Sequence, residues 1–265
     1  MINEYEKEEV LTGGNISDVY RSGNTVRRDL KPGSEKIHKV LKHLENKGFD
    51  YAPRFIGIDE KNREILTYIE GEAGNYPLKK YMWSDNVLKE IANMLRLYHD
   101  AVSDFSLLKE WKPMDNTPDK IEVVCHNDFA VYNIIFNNEK PVGIIDFDVA
   151  APGPRLWDIA YTLYTCVPLS RLWHTEKGET IHYNPFKDAD RIKQRVKLFF
   201  ECYGVENMDK DFLDMVILRV EGLCKYMIKK AEEGDIAFQK MLDEGQLEHY
   251  QKELQFIHEH GKEWI

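Results

Sequence analysis

Three oxygen-bearing side chains occur at a defined spacing in the middle of this 265-residue chain. Asp128 stands two residues after His126, Asn133 follows five residues later, and Asp146 follows thirteen residues after that. A carboxylate such as Asp128 can accept or orient the proton of a hydroxyl nucleophile, and Asn133 and Asp146 offer the hard oxygen ligands that Mg²⁺ prefers. The set predicts metal-assisted phosphoryl transfer from ATP, which depends mainly on position and charge.

Apolar runs on either side of these residues predict the elements that hold them. Residues 123–125 form one apolar run, a polar turn follows, and two further apolar runs lead to Phe136 and to Ile145. This order predicts a strand, a loop and a hairpin. We therefore expect Asp128, Asn133 and Asp146 to meet at one end of a small sheet.

The same segment resembles the aminoglycoside phosphotransferase family, whose members are related to choline kinases and protein kinases. The family's catalytic segment reads His-Gly-Asp-x-x-x-x-Asn and its metal segment reads Ile-Asp followed by Trp or Phe; residues 126–133 and 145–147 match them, with Asn127 in place of Gly. Residues 152–160 are similar to the family's Asp-Pro-x-x-Asp-Leu-Ala element, and the resemblance gives Asp158 the structural task of tying its helix to the catalytic loop.

The resemblance implies an ATP-dependent small-molecule kinase with a two-lobed, protein-kinase-like α+β fold. Residues 1–70 read as an antiparallel sheet with one helix, including strands at 52–58 and 63–69. Residues 71–265 read as a mainly helical lobe that carries the catalytic hairpin, with helices at 84–104, 186–203 and 212–233, a long connection at 167–190, and two shorter helices separated by Gly234 and Gly245. A cleft between the lobes is the expected nucleotide site.

The first predicted hairpin supplies a candidate phosphate-binding loop. Gly13 and Gly14 would allow backbone N–H groups to approach phosphate oxygens, and Ser17 would add a hydroxyl. An ordinary hairpin turn is the alternative, because Gly and Asn are the usual residues of such turns.

Arg27 and Arg28, on the third predicted strand, are the candidate cations for the phosphates, where related kinases carry a lysine. If Val26 faces the nucleotide, alternation along the strand puts Arg28 on the same side, whereas a slip of one residue would select Arg27. Kinases pair this cation with a glutamate on the following helix. Here the helix offers Glu35 and His38, but neither stands at the family's position, so the sequence does not identify a partner for this cation.

The resemblance also makes residues 67–69 the hinge, with Thr67 and Ile69 presenting backbone groups to adenine. An edge strand followed by a loop is the alternative. The choice between ATP and GTP as donor is left open.

Composition and charge exclude several classes of protein. The net charge of −10 argues against a nucleic-acid partner, which requires a basic surface. No stretch approaches the ~20 apolar residues that span a bilayer, and the amino terminus is charged, so we expect a cytoplasmic protein with no membrane partner. The four cysteines are isolated in sequence and predict buried thiols in a reducing compartment. The oligomeric state is left open.

The acidic charge is concentrated near the end of the chain, where residues 206–265 contain 14 acidic and 8 basic side chains. Clustered carboxylates attract cations, so this asymmetry predicts a small-molecule acceptor that is cationic or carries an amine. The alternative is a solvated helical surface that aids solubility. The identity of the acceptor is left open.

A non-catalytic, nucleotide-binding regulatory protein of the same fold is the main alternative function. The arginine on the third strand and the uncertain helix glutamate favour it, whereas Asp128, Asn133 and Asp146 oppose it. A protein kinase is disfavoured because the chain lacks an activation segment running from Asp-Phe-Gly to Ala-Pro-Glu.

Overall fold

The computed structural model of the protein describes residues 8–11, 19–107, 111–205 and 211–265. The amino-terminal part is a five-stranded antiparallel sheet, in the order β1-β2-β3-β5-β4, with helix α1 (Ser34–Asn46) beside it. The strands are β1 (Glu9–Leu11), β2 (Val19–Ser22), β3 (Thr25–Asp29), β4 (Phe55–Ile58) and β5 (Arg63–Thr67).

Two of these strands are shorter than the sequence predicts. β4 begins at Phe55 rather than at residue 52, because Pro53 has no N–H to donate to a sheet ladder. β5 ends at Thr67 rather than at residue 69; the N–H of Tyr68 donates instead to the carbonyl of Asn24 in the β2–β3 turn, at 2.8 Å.

The register between β3 and β5 fixes which side chains share a face of the sheet. Arg28 lies opposite Glu64, and Thr25 lies opposite Thr67. Alternation then puts Val26 and Arg28 on one face and Thr25 and Arg27 on the other. On that second face, the guanidinium of Arg27 donates to the Thr25 hydroxyl at 2.9 Å.

The remainder of the chain combines three small sheets with six longer helices among the residues that the structure describes. The sheets contain β6 (Glu72–Ala73) with β8 (Ile134–Asn137) and β9 (Lys140–Ile144), β7 (Val123–Cys125) with β10 (Ala151–Gly153), and β11 (Leu172–His174) with β12 (Thr180–His182). The helices are α2 (Asp85–Ala101), α3 (Arg155–Cys166), α4 (Pro185–Tyr203), α5 (Phe212–Glu232), α6 (Ile236–Asp243) and α7 (Gln246–His260).

Local capping sets the ends of several helices close to their predicted positions. The Ser84 hydroxyl accepts the N–H of Val87 at the start of α2, and Asp235 caps α6. Gly234 and Gly245 separate α5, α6 and α7, each with a positive φ that favours glycine. The predicted long connection at 167–190 contains the hairpin β11–β12, which the sequence did not indicate because strands of three residues are too short to give a periodic signal.

A continuous apolar core packs behind the β7 segment. Tyr98 of α2 is fully buried, and its hydroxyl donates to the carbonyl of Val124 at 2.9 Å. Cys125, Cys166 and Cys224 are buried and Cys202 is partly buried, all as free thiols. Within the described ranges, none of the helices is both long and apolar enough to cross a membrane.

Packing at the carboxyl terminus provides a stability test with two aromatic residues. Trp264 is fully buried against Phe256 and Tyr183, whereas Phe186 at the start of α4 is 99% exposed. Trp264→Ala should lower the free energy of unfolding by about 3–5 kcal/mol, because it leaves a cavity, and Phe186→Ala should change it by less than about 0.5 kcal/mol. Urea denaturation followed by circular dichroism measures both, and equal effects would contradict the observed packing.

Candidate active site

The loop after β7 holds the Asp128 carboxylate by both of its oxygens. Oδ1 accepts the Tyr132 hydroxyl at 2.6 Å, and Oδ2 accepts the Asn133 side-chain amide at 2.7 Å. Tyr132 and Asn133 belong to a single 3₁₀ turn, Val131–Asn133, that follows the loop directly. Burial raises the pKa of Asp128 to about 6, against the opposing effect of the Tyr132 hydrogen bond. The hydrogen bonds from Tyr132 and Asn133 fix the carboxylate in one orientation.

Asn127 explains why the family usually has glycine at this position. Its φ is 65°, in the left-handed region, where asparagine is the residue best tolerated after glycine. Its side chain also forms two bonds that glycine could not form. The amide donates to the carbonyl of Val149 at 2.8 Å, and its oxygen accepts the indole N–H of Trp157 at 2.8 Å.

Asp158, in the first turn of α3, holds the backbone of this loop. One carboxylate oxygen accepts the N–H of His126 and the other accepts the N–H of Asn127, both at 2.7 Å. Although burial opposes ionisation, hydrogen bonding from His99 lowers the pKa of Asp158. These contacts tie α3 to the catalytic loop, which is the task that the resemblance gives to Asp158.

His99 has a structural role between Asp158 and α4. Burial lowers its pKa and so favours the neutral ring, although the hydrogen bond to Asp158 acts in the opposite direction. Nε2 lies 3.1 Å from Asp158 Oδ2 and donates to it, which leaves Nδ1 to accept the Tyr203 hydroxyl at 2.7 Å.

The hairpin β8–β9 brings Asp146 next to this loop. Its two-residue turn, Asn138 and Glu139, has positive φ at both positions, as a type I′ turn requires. At the other end of the hairpin the N–H of Ile145 donates to the carbonyl of Asn133 at 2.9 Å. This backbone bond brings Asn133 close to Asp146. The side-chain amide nitrogen of Asn133 faces the Asp128 carboxylate, so the side-chain oxygen of Asn133 points away from Asp128.

Asp146 and Asp148 face the cation of the third strand. Arg28 Nη2 lies 2.6 Å from Asp148 Oδ1, and Arg28 Nη1 lies 3.6 Å from Asp146 Oδ1. Lys31 reaches the second oxygen of Asp148 at 2.6 Å. Partial burial opposes ionisation of Asp148, but the charges of Arg28 and Lys31 lower its pKa. Asp146 has a φ of 65°, a strained conformation for an aspartate that is typical of functional sites.

The other predicted nucleotide-binding residues are distributed unevenly around this site. Arg27 lies on the opposite face of β3 from Arg28. The N–H of Thr67 donates to the carbonyl of Arg54 at 3.0 Å, so this N–H is already bonded within the amino-terminal part of the chain. A Cβ atom added at Gly143 would lie 2.7 Å from the side chain of Ile69, which therefore packs directly over β9. Gly13, Gly14 and Ser17 lie outside the described residues.

Two residues that the sequence analysis did not select lie beside Asp128. The hydroxyl of Tyr161, on α3, is 2.8 Å from that of Tyr132. The guanidinium of Arg219, on α5, donates to the carbonyl of Asn127 and lies 4.1 Å from the centre of the Tyr161 ring. An arginine within the apolar stripe of a buried helix was the available signal for Arg219, since such a charge requires buried partners.

Solved structures with the same fold are numerous. The GDP complex of aminoglycoside 2′-phosphotransferase-IIIa superposes with a TM-score of 0.61 at 16% identity, over 94% of this chain and 92% of that one. An ethanolamine kinase of Plasmodium vivax superposes with a TM-score of 0.63 at 14% identity, over 96% of this chain and 83% of that one. The protein therefore has a protein-kinase-like α+β fold, and the predicted fold class is confirmed.

Sequence comparison then defines the family. Residues 99–190 match the family model described as the phosphotransferase enzyme family. Over 215 residues the chain is 36% identical to the trifolitoxin immunity protein of Rhizobium leguminosarum bv. trifolii, and the aligned region covers 78% of each protein. The chain belongs to the phosphotransferase enzyme family.

The contacts of Asp158 predict a large loss of stability when its carboxylate is removed. Asp158→Ala leaves two backbone N–H groups and His99 without their buried acceptor, so the free energy of unfolding should fall by about 3–5 kcal/mol. Asp50→Ala removes an exposed ion pair with Arg54 and should cost less than about 1 kcal/mol. Urea denaturation tests both, and a loss under about 1 kcal/mol for Asp158→Ala would show that the loop does not depend on this residue.

Proposed function

We propose that the protein is a kinase that transfers the γ-phosphoryl group of ATP to a hydroxyl of a small molecule, with Mg²⁺ as the required cation. The observation that carries this proposal is the hydrogen-bonded arrangement of Asp128 and Asn133 beside Asp146, with Arg28 opposite. Membership of the phosphotransferase family supports the reaction class. We further propose that residues 1–70 form the nucleotide-binding lobe, that residues 71–265 carry the catalytic and acceptor sites, and that the protein acts in the cytoplasm.

The donor atoms near Asp146 fit Mg²⁺. Asn133 and Asp146 supply an amide oxygen and a carboxylate, and Asp148 lies beside them with a second carboxylate. Mg²⁺ usually takes one or two carboxylates and completes its shell with water and substrate phosphates. Within the described part of the chain, no group of three or more His, Cys, Asp or Glu side chains is arranged to hold a metal ion without other ligands. When bound, the ion would neutralise phosphate charge.

Asp128 is the proposed catalytic residue. During transfer the acceptor O–H bond breaks and its proton passes to the Asp128 carboxylate. The acceptor oxygen then bonds to the γ-phosphorus as the bond to the β–γ bridging oxygen breaks and ADP leaves. Tyr132 and Asn133 keep the carboxylate oriented throughout, because each of them holds one of its oxygens.

The remaining nucleotide contacts are assigned by position. Arg28 is the proposed phosphate cation, supported by its place opposite Asp146, while Arg27 points to the other face of the sheet. Residues 67–69 remain the proposed hinge, in which backbone groups of Thr67 and Ile69 would hydrogen-bond adenine, and Gly13, Gly14 and Ser17 are proposed to form the phosphate loop.

The proposed acceptor is an amine-bearing alcohol. Structures with this fold include an aminoglycoside phosphotransferase bound to gentamicin, another bound to kanamycin, and kinases of ethanolamine and choline. The acidic carboxyl-terminal region adds little support, because Glu233 pairs with Lys230 and Asp235 caps α6. The name of the 36% identical relative adds hydroxyl-bearing toxins to the compounds worth testing.

A panel of acceptors tests the proposal directly. The protein is incubated with ATP and Mg²⁺ together with aminoglycosides, choline, ethanolamine and hydroxyl-bearing toxins, and ADP release and product mass are measured. Mg²⁺-dependent phosphorylation of one class is the expected result. ATP binding with no turnover on any acceptor would favour the regulatory alternative. The ion pairs of Arg28 with three carboxylates are compatible with either function.

Asp128→Asn should abolish transfer while leaving nucleotide affinity nearly unchanged. Loss of the proton acceptor lowers the rate by about 10²- to 10⁴-fold, and the amide retains the shape of the side chain. Steady-state turnover and ATP titration measure the two effects separately. Turnover close to that of the parent would remove Asp128 from the mechanism.

Asp146→Ala should lose the Mg²⁺-dependent part of ATP affinity, and Asn133→Ala should lose it less severely, because a carboxylate contributes a full charge to the metal site. ATP is titrated into each variant with Mg²⁺ and with EDTA. If Mg²⁺ strengthens binding in Asp146→Ala as much as in the parent, the ligands lie elsewhere.

A further inference from the structure

We propose that Glu64, on strand β5, is the positioning residue for Arg28, and that His38 of α1 holds Glu64 in place. The glutamate that related kinases carry on the helix is thus supplied here by the neighbouring strand. This inference rests on the proposed role of Arg28 in binding ATP phosphates, and it assigns a role to two residues outside the catalytic motifs.

The sheet register brings Arg28 and Glu64 together. The two residues lie directly opposite each other on β3 and β5, and Arg28 Nε donates to Glu64 Oε1. Side chains opposite each other on adjacent antiparallel strands are close enough to pair without distorting the backbone. Glu64 is 1% exposed, and a buried carboxylate requires such a partner.

Helix α1 holds the second oxygen of the same carboxylate. His38 Nε2 lies 2.6 Å from Glu64 Oε2, and the His38 ring stacks on Phe55 with centroids 3.7 Å apart. Glu35, the other helix candidate from the sequence, is exposed in the first turn of α1. The helix therefore contributes a histidine that contacts Glu64, and Glu64 contacts the arginine.

This arrangement directs the guanidinium of Arg28. Because Glu64 holds the Nε edge of a rigid planar group, Nη1 and Nη2 are turned toward Asp146 and Asp148, where the phosphates and the metal are proposed to bind. The pair joins two hydrogen-bonded strands, so it is formed within the sheet, and α1 contributes to it only through His38. Without Glu64, the Arg28 side chain would regain rotamer freedom and lose its fixed direction.

The test compares ATP with adenosine, which lacks phosphates, as ligands in the presence of Mg²⁺. Calorimetry gives both affinities for the parent, Arg28→Ala, Glu64→Gln and the double variant, with Glu35→Gln as the matched control. Glu64→Gln should weaken ATP binding about tenfold or more and leave adenosine binding within about twofold. The double variant should be no weaker than Arg28→Ala, because both changes remove the same interaction. Glu35→Gln should match the parent.

Each other outcome has a defined meaning. Equal loss for ATP and adenosine in Glu64→Gln would show a general structural role and overturn the inference, as would parent-like ATP affinity or simple additivity. If Glu64→Gln does not fold, as judged by thermal melting, His38→Leu replaces it; a smaller loss specific to ATP is then expected, and parent-like ATP affinity overturns the inference. A parent that binds neither ligand would overturn the proposed function together with it.

Discussion

The buried carboxylate of Asp158 is the interaction on which the rest of the site depends. A charge with no exposed surface must be compensated inside the protein, and here the compensation comes from two backbone N–H groups of the catalytic loop and from His99. These bonds fix the backbone of His126 and Asn127 directly before Asp128, whose carboxylate is then oriented by Tyr132 and Asn133. Because α3 is anchored in the apolar core by Trp157, the geometry of the loop is coupled to the packing of the helices.

The cation Arg28 links the amino-terminal sheet to the segment that follows the catalytic hairpin. Arg28 is bonded to Glu64 within its own sheet and to Asp148 beyond it, and Lys31 supports the second contact. In kinases that pair the strand cation with a helix glutamate, movement of the helix can break the pair. Here the partner is a cross-strand neighbour, so the pair should persist whenever β3 and β5 are joined, and control of activity through α1 would act only indirectly, through His38.

Side chains from several elements surround Asp128. Because these elements can vary independently, membership of the family does not identify the acceptor. Tyr132 follows the loop, Tyr161 belongs to α3, and Arg219 extends from α5. A fold of this kind supports many substrates, and selectivity depends on the shape and charge of such a local set. The overall acidic charge is a weaker guide, because several of its carboxylates near α6 have local partners.

The sequence by itself determined the features that depend on short stretches of chain. It predicted the strand, loop and hairpin, the helices α4 to α7 to within a few residues, and the association of Asp128 with Asn133, which are only five residues apart. Contacts between distant segments were decided by tertiary structure alone. Glu64 is 36 residues from Arg28 and pairs with it through strand register, and Arg219 is 92 residues from Asn127 and reaches it through helix packing. Periodicity reports which face of an element is buried, but not which side chain of another element that face will meet.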